Sequence, residues 1–321
     1  MSRTSKSPRK VALEALAVAR ESLIAYSSRF SRKDFTQHQL FACLVLKKFF
    51  KTDYRGIVEI LRDCPDLATT IGLKKVPHFT TLQKASDRLL SQSSASQLLD
   101  ATIHRTLGDR PHIALAALDS TGLECGQVSP YFVRRRSREK GLWQTTSYTC
   151  FPKLELGVDC STHLIVAMVT SLGPHPDTDR FRLLLFNLLR RVSTETVLAD
   201  AGYDSEANHV FAREGCRVRS VIPAEHGRPF LDPTQLPRGR WRRLMKRYRD
   251  LRYGQRWQVE TVVSMIKRRL GHALHARSEN RRNSEMRLMV LTHNVMICFL
   301  QAEGFYRAGQ ELLFSIFFIN R

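Results

Sequence analysis

The sequence predicts an α/β fold, a mixed sheet flanked by helices, set behind an all-helical N-terminal region. Two stretches with different patterning predict it. From Val11 to about Leu90 apolar residues recur at helical spacing, as in Leu40, Cys43, Leu44 and Leu46 followed by Ile57, Ile60 and Leu61. Beyond residue 98 short apolar runs take over: HIALAALDSTG, KLELGVD and HLIVAMVTS come first, and TVLAD and VRSVI then alternate with helical segments. Three strands, helix, strand, helix, strand describes a sheet that begins as a meander and continues through crossovers. A chain of 321 residues has room for about two domains. The expected division is a basic arm over residues 1–10, a helical DNA-binding or assembly region over 11–98, and the α/β domain over 99–321.

Each element has a local reason. MSRTSKSPRK is polar and basic, and VALEALAVA, interrupted by Glu14, begins an amphipathic helix rather than a cleavable leader. Thr52 or Asp53 can cap YRGIVEILRD, and the Thr80-Thr81 pair can cap LQKASDRLL after Pro77. Two such helices suit either a helix-turn-helix, its second helix set against DNA, or a small helical bundle. SQSSASQL, residues 91–98, is Ser/Gln-rich and is expected as a boundary. Helices are expected at about Asp179–Arg191, Ser205–Glu214, Leu251–Leu270 and Glu285–Glu303, with a Pro-, Gly- and Arg-rich loop over 223–250.

Composition narrows the function. Lys and Arg number 51 against 30 Asp and Glu, a net charge of +21, so the expected partner is a polyanion, nucleic acid first. An anionic membrane is the rival, but no run approaches the 18 or so apolar residues of a spanning helix. Seven scattered cysteines, Cys43, Cys64, Cys125, Cys150, Cys160, Cys216 and Cys298, lack Cys-x-x-Cys spacing and read as reduced thiols.

Three carboxylates carry the chemistry. Asp119 ends ALAALD and Asp200 ends TVLAD, and strand ends are where an open α/β sheet presents its site. If the first and fourth strands are neighbours, the two acids lie side by side and repel unless a cation neutralises them. Mg²⁺ or Mn²⁺, hard ions that take oxygen ligands, suit such a pair. In YGQRWQVETVVSMIK, Tyr253, Arg256, Glu260 and Lys267 fall on one narrow helical stripe beside Val259, Val263, Ile266 and Leu270. The helix can then bury its valine side on the sheet while Glu260 supplies the third carboxylate.

The pattern Tyr-x2-Arg-x3-Glu-x6-Lys at those four positions, behind ALDSTG and LADAGYDS, closely resembles bacterial insertion-sequence transposases with a DDE triad. It is similar to the branch named for its Tyr-Arg-Glu-Lys signature, over roughly Ile113 to Leu300. The resemblance implies a ribonuclease H-like core in which Asp119, Asp200 and Glu260 are the catalytic, metal-binding triad for two Mg²⁺ or Mn²⁺ ions. It implies that Tyr253, Arg256 and Lys267 contact DNA phosphate near the scissile bond. The activity implied is cleavage at the terminal inverted repeats of the element and joining to target DNA, by a homodimer in a synaptic complex, in the cytoplasm at the nucleoid. Alternatives are a nuclease without strand joining and a non-catalytic DNA-binding derivative. The segment between the last strand and Glu260 is short for this branch.

Two basic clusters account for much of the charge: RRRSREK, with Arg134, Arg135 and Arg136, and RGRWRRLMKRYRDLR, with Arg240, Arg242, Arg243, Lys246 and Arg247. The second interleaves Trp241 and Tyr248, a composition able to follow a backbone and stack on a base. Trp257 either stacks on a distorted base or packs in the core. His163 and His175 lack partners at metal-ligand spacing and are expected in turn or surface roles. Asp177 and Asp179 add acidity near the cleft, with helix capping the simpler role for Asp179. Ser120 has no His-based activating arrangement.

Overall fold

The computed structural model describes residues 4–125, 151–224, 237–247 and 250–298. The chain forms two compact units, residues 1–110 with 288–321, and residues 111–287.

The helical unit is built from α1 (Pro8–Ser22), α2 (Gln37–Phe49), α3 (Tyr54–Asp63), α4 (Pro65–Thr70), α5 (Phe79–Leu89) and α6 (Gln92–Leu107). Ser7 caps α1 by accepting from Lys10 N, and Thr36 with Gln39 forms a full capping box on α2. Phe41 to Leu46 are all wholly buried, so α2 is the central helix, enclosed on every side. The expected basic arm is shorter than ten residues. Thr4 and Ser5 are buried, Ser5 N donates to Met296 O at 2.9 Å, and the helix is under way by Pro8.

Asp53 caps α3 as the sequence predicts, accepting from the backbone of Arg55 and Gly56. The next expected cap moves. His78, not Thr80 or Thr81, stands at the N-cap of α5, and the extra helix α4 intervenes. The short joint of a helix-turn-helix is therefore absent between α3 and α5, which still pack on each other. Residues 92–98 are helical: Ser91 accepts from Ser94 N as the N-cap and starts α6 through the Ser/Gln-rich stretch.

The second unit holds a five-stranded sheet of β1 (His112–Gly122), β3 (Phe151–Asp159), β4 (Ile165–Gly173), β5 (Ser193–Ala199) and β6 (Arg219–Val221), in the order β4-β3-β1-β5-β6. β1, β3 and β4 are antiparallel neighbours, and β5 and β6 run parallel to β1. Meander, then two parallel crossover strands on the far side of the first strand, is the ribonuclease H-like topology. A small second sheet pairs β2 (Glu124–Cys125) with β7 (Ala273–Leu274).

Helix α7 (Phe181–Leu189) lies on β3 and β4, burying Phe181, Leu184, Leu185 and Leu188. α8 (Glu206–Val210) runs into a single wider turn at Phe211–Gly215. α9 (Arg240–Arg247) falls within the stretch expected as loop. Gly239 permits its start: its φ is +105°, and a Cβ there would meet Glu206 Oε2 at 2.2 Å. Glu206 accepts from the backbone of Trp241 and Arg242, both at 3.1 Å, and so supplies the negative charge that an Arg-rich first turn lacks. α10 (Trp257–Leu270) packs on β1 and β3, and the last described helix, α11, spans 279–298. No helix among the described residues is long and apolar enough to cross a membrane.

Candidate active site

The strand pairing places the first two acids. β1 and β5 are parallel neighbours in the register Ala117 to Leu198 and Leu118 to Ala199, so Asp119 and Asp200 occupy the next step on adjacent strands. Adjacent strands lie about 4.8 Å apart. Both carboxylates are half-buried, and burial is the first cause that raises their pKa values, Asp119 to about 6. Each also feels Glu260 as a like charge and Arg256 as an opposite one, which puts α10 in the same field.

Glu260 and its neighbours differ from the expected single stripe. Residues Leu251–Arg256 form a 3₁₀ helix capped by Asp250, and the α-helix begins only at Trp257. Tyr253 and Arg256 thus stand before the helix and Glu260 in its first turn. They still meet, since Arg256 pairs with Glu260 and bonds the Tyr253 hydroxyl. The face that α10 buries consists of Val259, Val262, Met265, Ile266 and Leu270, with Val263 only half-buried. Lys267 lies half-buried further along. Trp257 is 52% exposed, which removes the core-packing role.

A second polar group beside Asp119 consists of residues that sequence reasoning set aside or missed. Asp177 Oδ1 accepts from Ser120 Oγ at 2.9 Å and from Lys153 Nζ, which also donates to His175 O at 2.9 Å. Glu155 is wholly buried on β3, opposite Ser120 in the register, and burial pushes its pKa to about 7. His175, far from a free surface residue, bonds Ser171 Oγ through Nε2 at 2.9 Å, 3.4 Å from Glu155 Oε1. His163 bonds Gln258 on α10. The signal for the missed pair was present: Lys153 and Glu155, two apart in an apolar strand, must share one face, and a buried charge needs partners there.

The donor set suits a hard divalent cation, being all oxygen. Asp200 Oδ1 is enclosed without a hydrogen-bond partner, and Gly202 leaves open a spot 3.1 Å from it that a Cβ would fill. The set is not drawn together, however. Among the described residues no three His, Cys, Asp or Glu side chains are grouped so that they could hold one ion. Glu260, 53% exposed, is turned to Arg256 instead.

The basic clusters divide. Arg134, Arg135 and Arg136 lie outside the described residues, as does Tyr248. On α9, Arg240, Arg243 and Arg247 are exposed and Lys246 half-buried. Arg242 instead grips buried Asp204 with Nη2 at 2.6 Å and Nε at 3.0 Å. Trp241 donates to Glu214 Oε1 at 2.7 Å, and the guanidinium groups of Arg213 and Arg240 approach its ring to 4.6 and 4.7 Å. That ring is already stacked and tied within the protein.

The family model of the transposase DDE domain matches residues 110–295, more than half of the chain. Among solved structures, the cryo-EM structure of the piggyBac transposase synaptic complex with hairpin DNA is similar at a TM-score of 0.45 and 10% identity. That match covers 92% of this chain and 73% of the other.

Proposed function

Since the chain belongs to the DDE transposase family, we propose that it cleaves DNA at the terminal inverted repeats of a bacterial insertion sequence and joins the freed 3′ ends to target DNA. The branch with the Tyr-Arg-Glu-Lys signature is the one its residues fit, at Tyr253, Arg256, Glu260 and Lys267. The observation that carries the reaction is the parallel β1–β5 register, with Asp119 and Asp200 at matching strand ends and Glu260 in their field. Mg²⁺ or Mn²⁺ ions, when bound, would activate the attacking hydroxyl and stabilise the departing oxygen.

The chain's own residues set the stage for that reaction. Asp119, Asp200 and Glu260 would hold the cations and carry no proton in the step. Glu260 would reach them by leaving Arg256. A solvent-accessible ion pair of this kind contributes only about 0–1 kcal/mol, so the exchange costs little. A DNA phosphate draws the Arg256 guanidinium into a bidentate fork, and Tyr253 steadies that side chain from the other side. Lys267 adds a point charge along the same helix, while Trp257 offers an exposed face to a base. Arg240, Arg243, Lys246 and Arg247 on α9, with Arg134, Arg135 and Arg136, track the flanking backbone. Arg242 acts indirectly, by fixing α9 to Asp204. Two element ends must be held together for joining, which calls for a synaptic homodimer.

A strand-transfer assay with labelled element ends and Mg²⁺ or Mn²⁺ tests the proposal. Cleaved ends joined to target DNA support it. Cleavage without joined products identifies a nuclease, and tight end binding without cleavage identifies a non-catalytic derivative.

A further inference from the structure

Resting on the cation-dependent reaction proposed above, we propose that Asp177 is a fourth carboxylate ligand of the cation site, sharing an ion with Asp200 over the cradle left by Gly202. Asp177 opens the 3₁₀ turn Asp177–Asp179 after β4, and its two oxygens are employed differently. Oδ1 takes the two hydrogen bonds from Ser120 and Lys153. Oδ2 stands 3.3 Å from the point where a Gly202 Cβ would lie, and Asp200 Oδ1 stands 3.1 Å from the same point. Two carboxylate oxygens therefore overhang one spot that carries no side chain.

This arrangement is costly without an occupant. Asp177 and Asp200 are like charges that approach one point from two sides. Lys153 answers only on the Oδ1 side of Asp177. Asp200 Oδ1 accepts no hydrogen bond although it is enclosed. A second residue points the same way. Tyr203, next to Gly202 in the chain, is wholly buried, and its hydroxyl has no hydrogen-bond partner. A buried donor and a buried acceptor left unbonded three residues apart need an explanation, and an ion with its waters supplies one.

The supports behind Asp177 are those a ligand requires. Carboxylates that bind metal are themselves hydrogen-bonded from behind, which fixes their free oxygen, and Ser120 and buried Lys153 do this here. Asp177, held by Ser120, meets Asp200 beyond the end of β5, where an oxygen of each approaches Gly202.

Mn²⁺ titration of the full chain without DNA, read by electron paramagnetic resonance and calorimetry, tests this. Asp177→Asn should bind Mn²⁺ about tenfold more weakly or lose one ion, while Asp179→Asn, two residues along, binds as the wild type does. Normal binding by Asp177→Asn, with binding lost in Asp200→Asn, overturns the Asp177 assignment and leaves the reaction standing. Normal binding by Asp119→Asn and Asp200→Asn as well overturns both. Should Asp177→Asn fail to fold, the unmodified chain decides: Fe²⁺ with ascorbate and peroxide cuts backbone beside ligands. A cut at residues 176–178 supports the assignment and its absence, with cuts at 119 and 200, overturns it.

Discussion

In the helical unit one buried acid is fully answered, whereas in the sheet unit several are not. Glu14 on α1 is 5% exposed, and Arg105 from α6 grips both its oxygens, Nε at 2.6 Å and Nη2 at 3.2 Å, while also bonding Glu21. At the strand ends, Asp119, Asp200, Asp177 and Glu155 act on one another or on Tyr203 as like charges, and Asp200 Oδ1, Glu155 Oε2 and Tyr203 OH are enclosed without partners. The first arrangement is closed by the protein itself. The second leaves charge for something else to answer, and the surrounding fold must supply the stability that this costs.

The sharpest way to break that contrast is to remove one charged group from each side of it. Asp119→Asn should lower Mg²⁺-dependent cleavage on the order of a thousandfold or more, while leaving the thermal midpoint unchanged or higher because a like charge has gone. Cleavage within tenfold of wild type would remove Asp119 from the machinery. In the helical unit the sign reverses. Arg105→Met strands the Glu14 carboxylate and should cost about 3 kcal/mol in urea unfolding; a loss below about 1 kcal/mol would show that water already answers Glu14.

A smaller effect sits in the pH dependence. Glu155 has its folded pKa raised to about 7 from an ordinary 4.5, first by burial, so the folded state holds the proton where the unfolded chain releases it. Stability therefore falls as pH rises from about 4.5 to 7 and levels off above that. Glu155→Gln cannot ionise and should flatten this slope, by on the order of 2 kcal/mol between pH 5 and 8. Parallel slopes in variant and wild type would mean that Glu155 is already ionised within the sheet.

Legibility in the sequence followed how local each cause was. The strands of β1 and β5 and their terminal Asp119 and Asp200 could be read because apolar runs ending in an acid are contiguous, and the meander-then-crossover order followed from the same runs. Where a single side chain decided, composition misled. Ser91 turns a Ser/Gln-rich stretch into the start of α6, and Glu206, far away in sequence, lets Arg-rich α9 form. Asp177, Lys153 and Glu155 were hidden for a different reason. Their meaning depends on the register that sets Glu155 opposite Ser120 and on the turn that returns Asp177 to it. The break between the 3₁₀ segment and α10 was also invisible to a count of 3.6 residues per turn, although the Arg256–Glu260 contact survived it.

The two tryptophans of the basic region extend the contrast between answered and unanswered groups to DNA contact. Trp241 is tied by its indole N–H to Glu214 and has two guanidinium groups against its ring, so the ring belongs to the packing of α9. Trp257, at the head of α10 beside Arg256, is 52% exposed and contributes little to the core. Trp257→Ala should therefore change stability by no more than about 0.5 kcal/mol. If the ring stacks on a base, the same change weakens binding of element-end DNA by about 1 kcal/mol, roughly fivefold in Kd, and Trp257→Phe restores most of it. Equal affinity across all three proteins at fixed salt would remove Trp257 from DNA contact and leave the proposed roles here to Arg256 and Lys267.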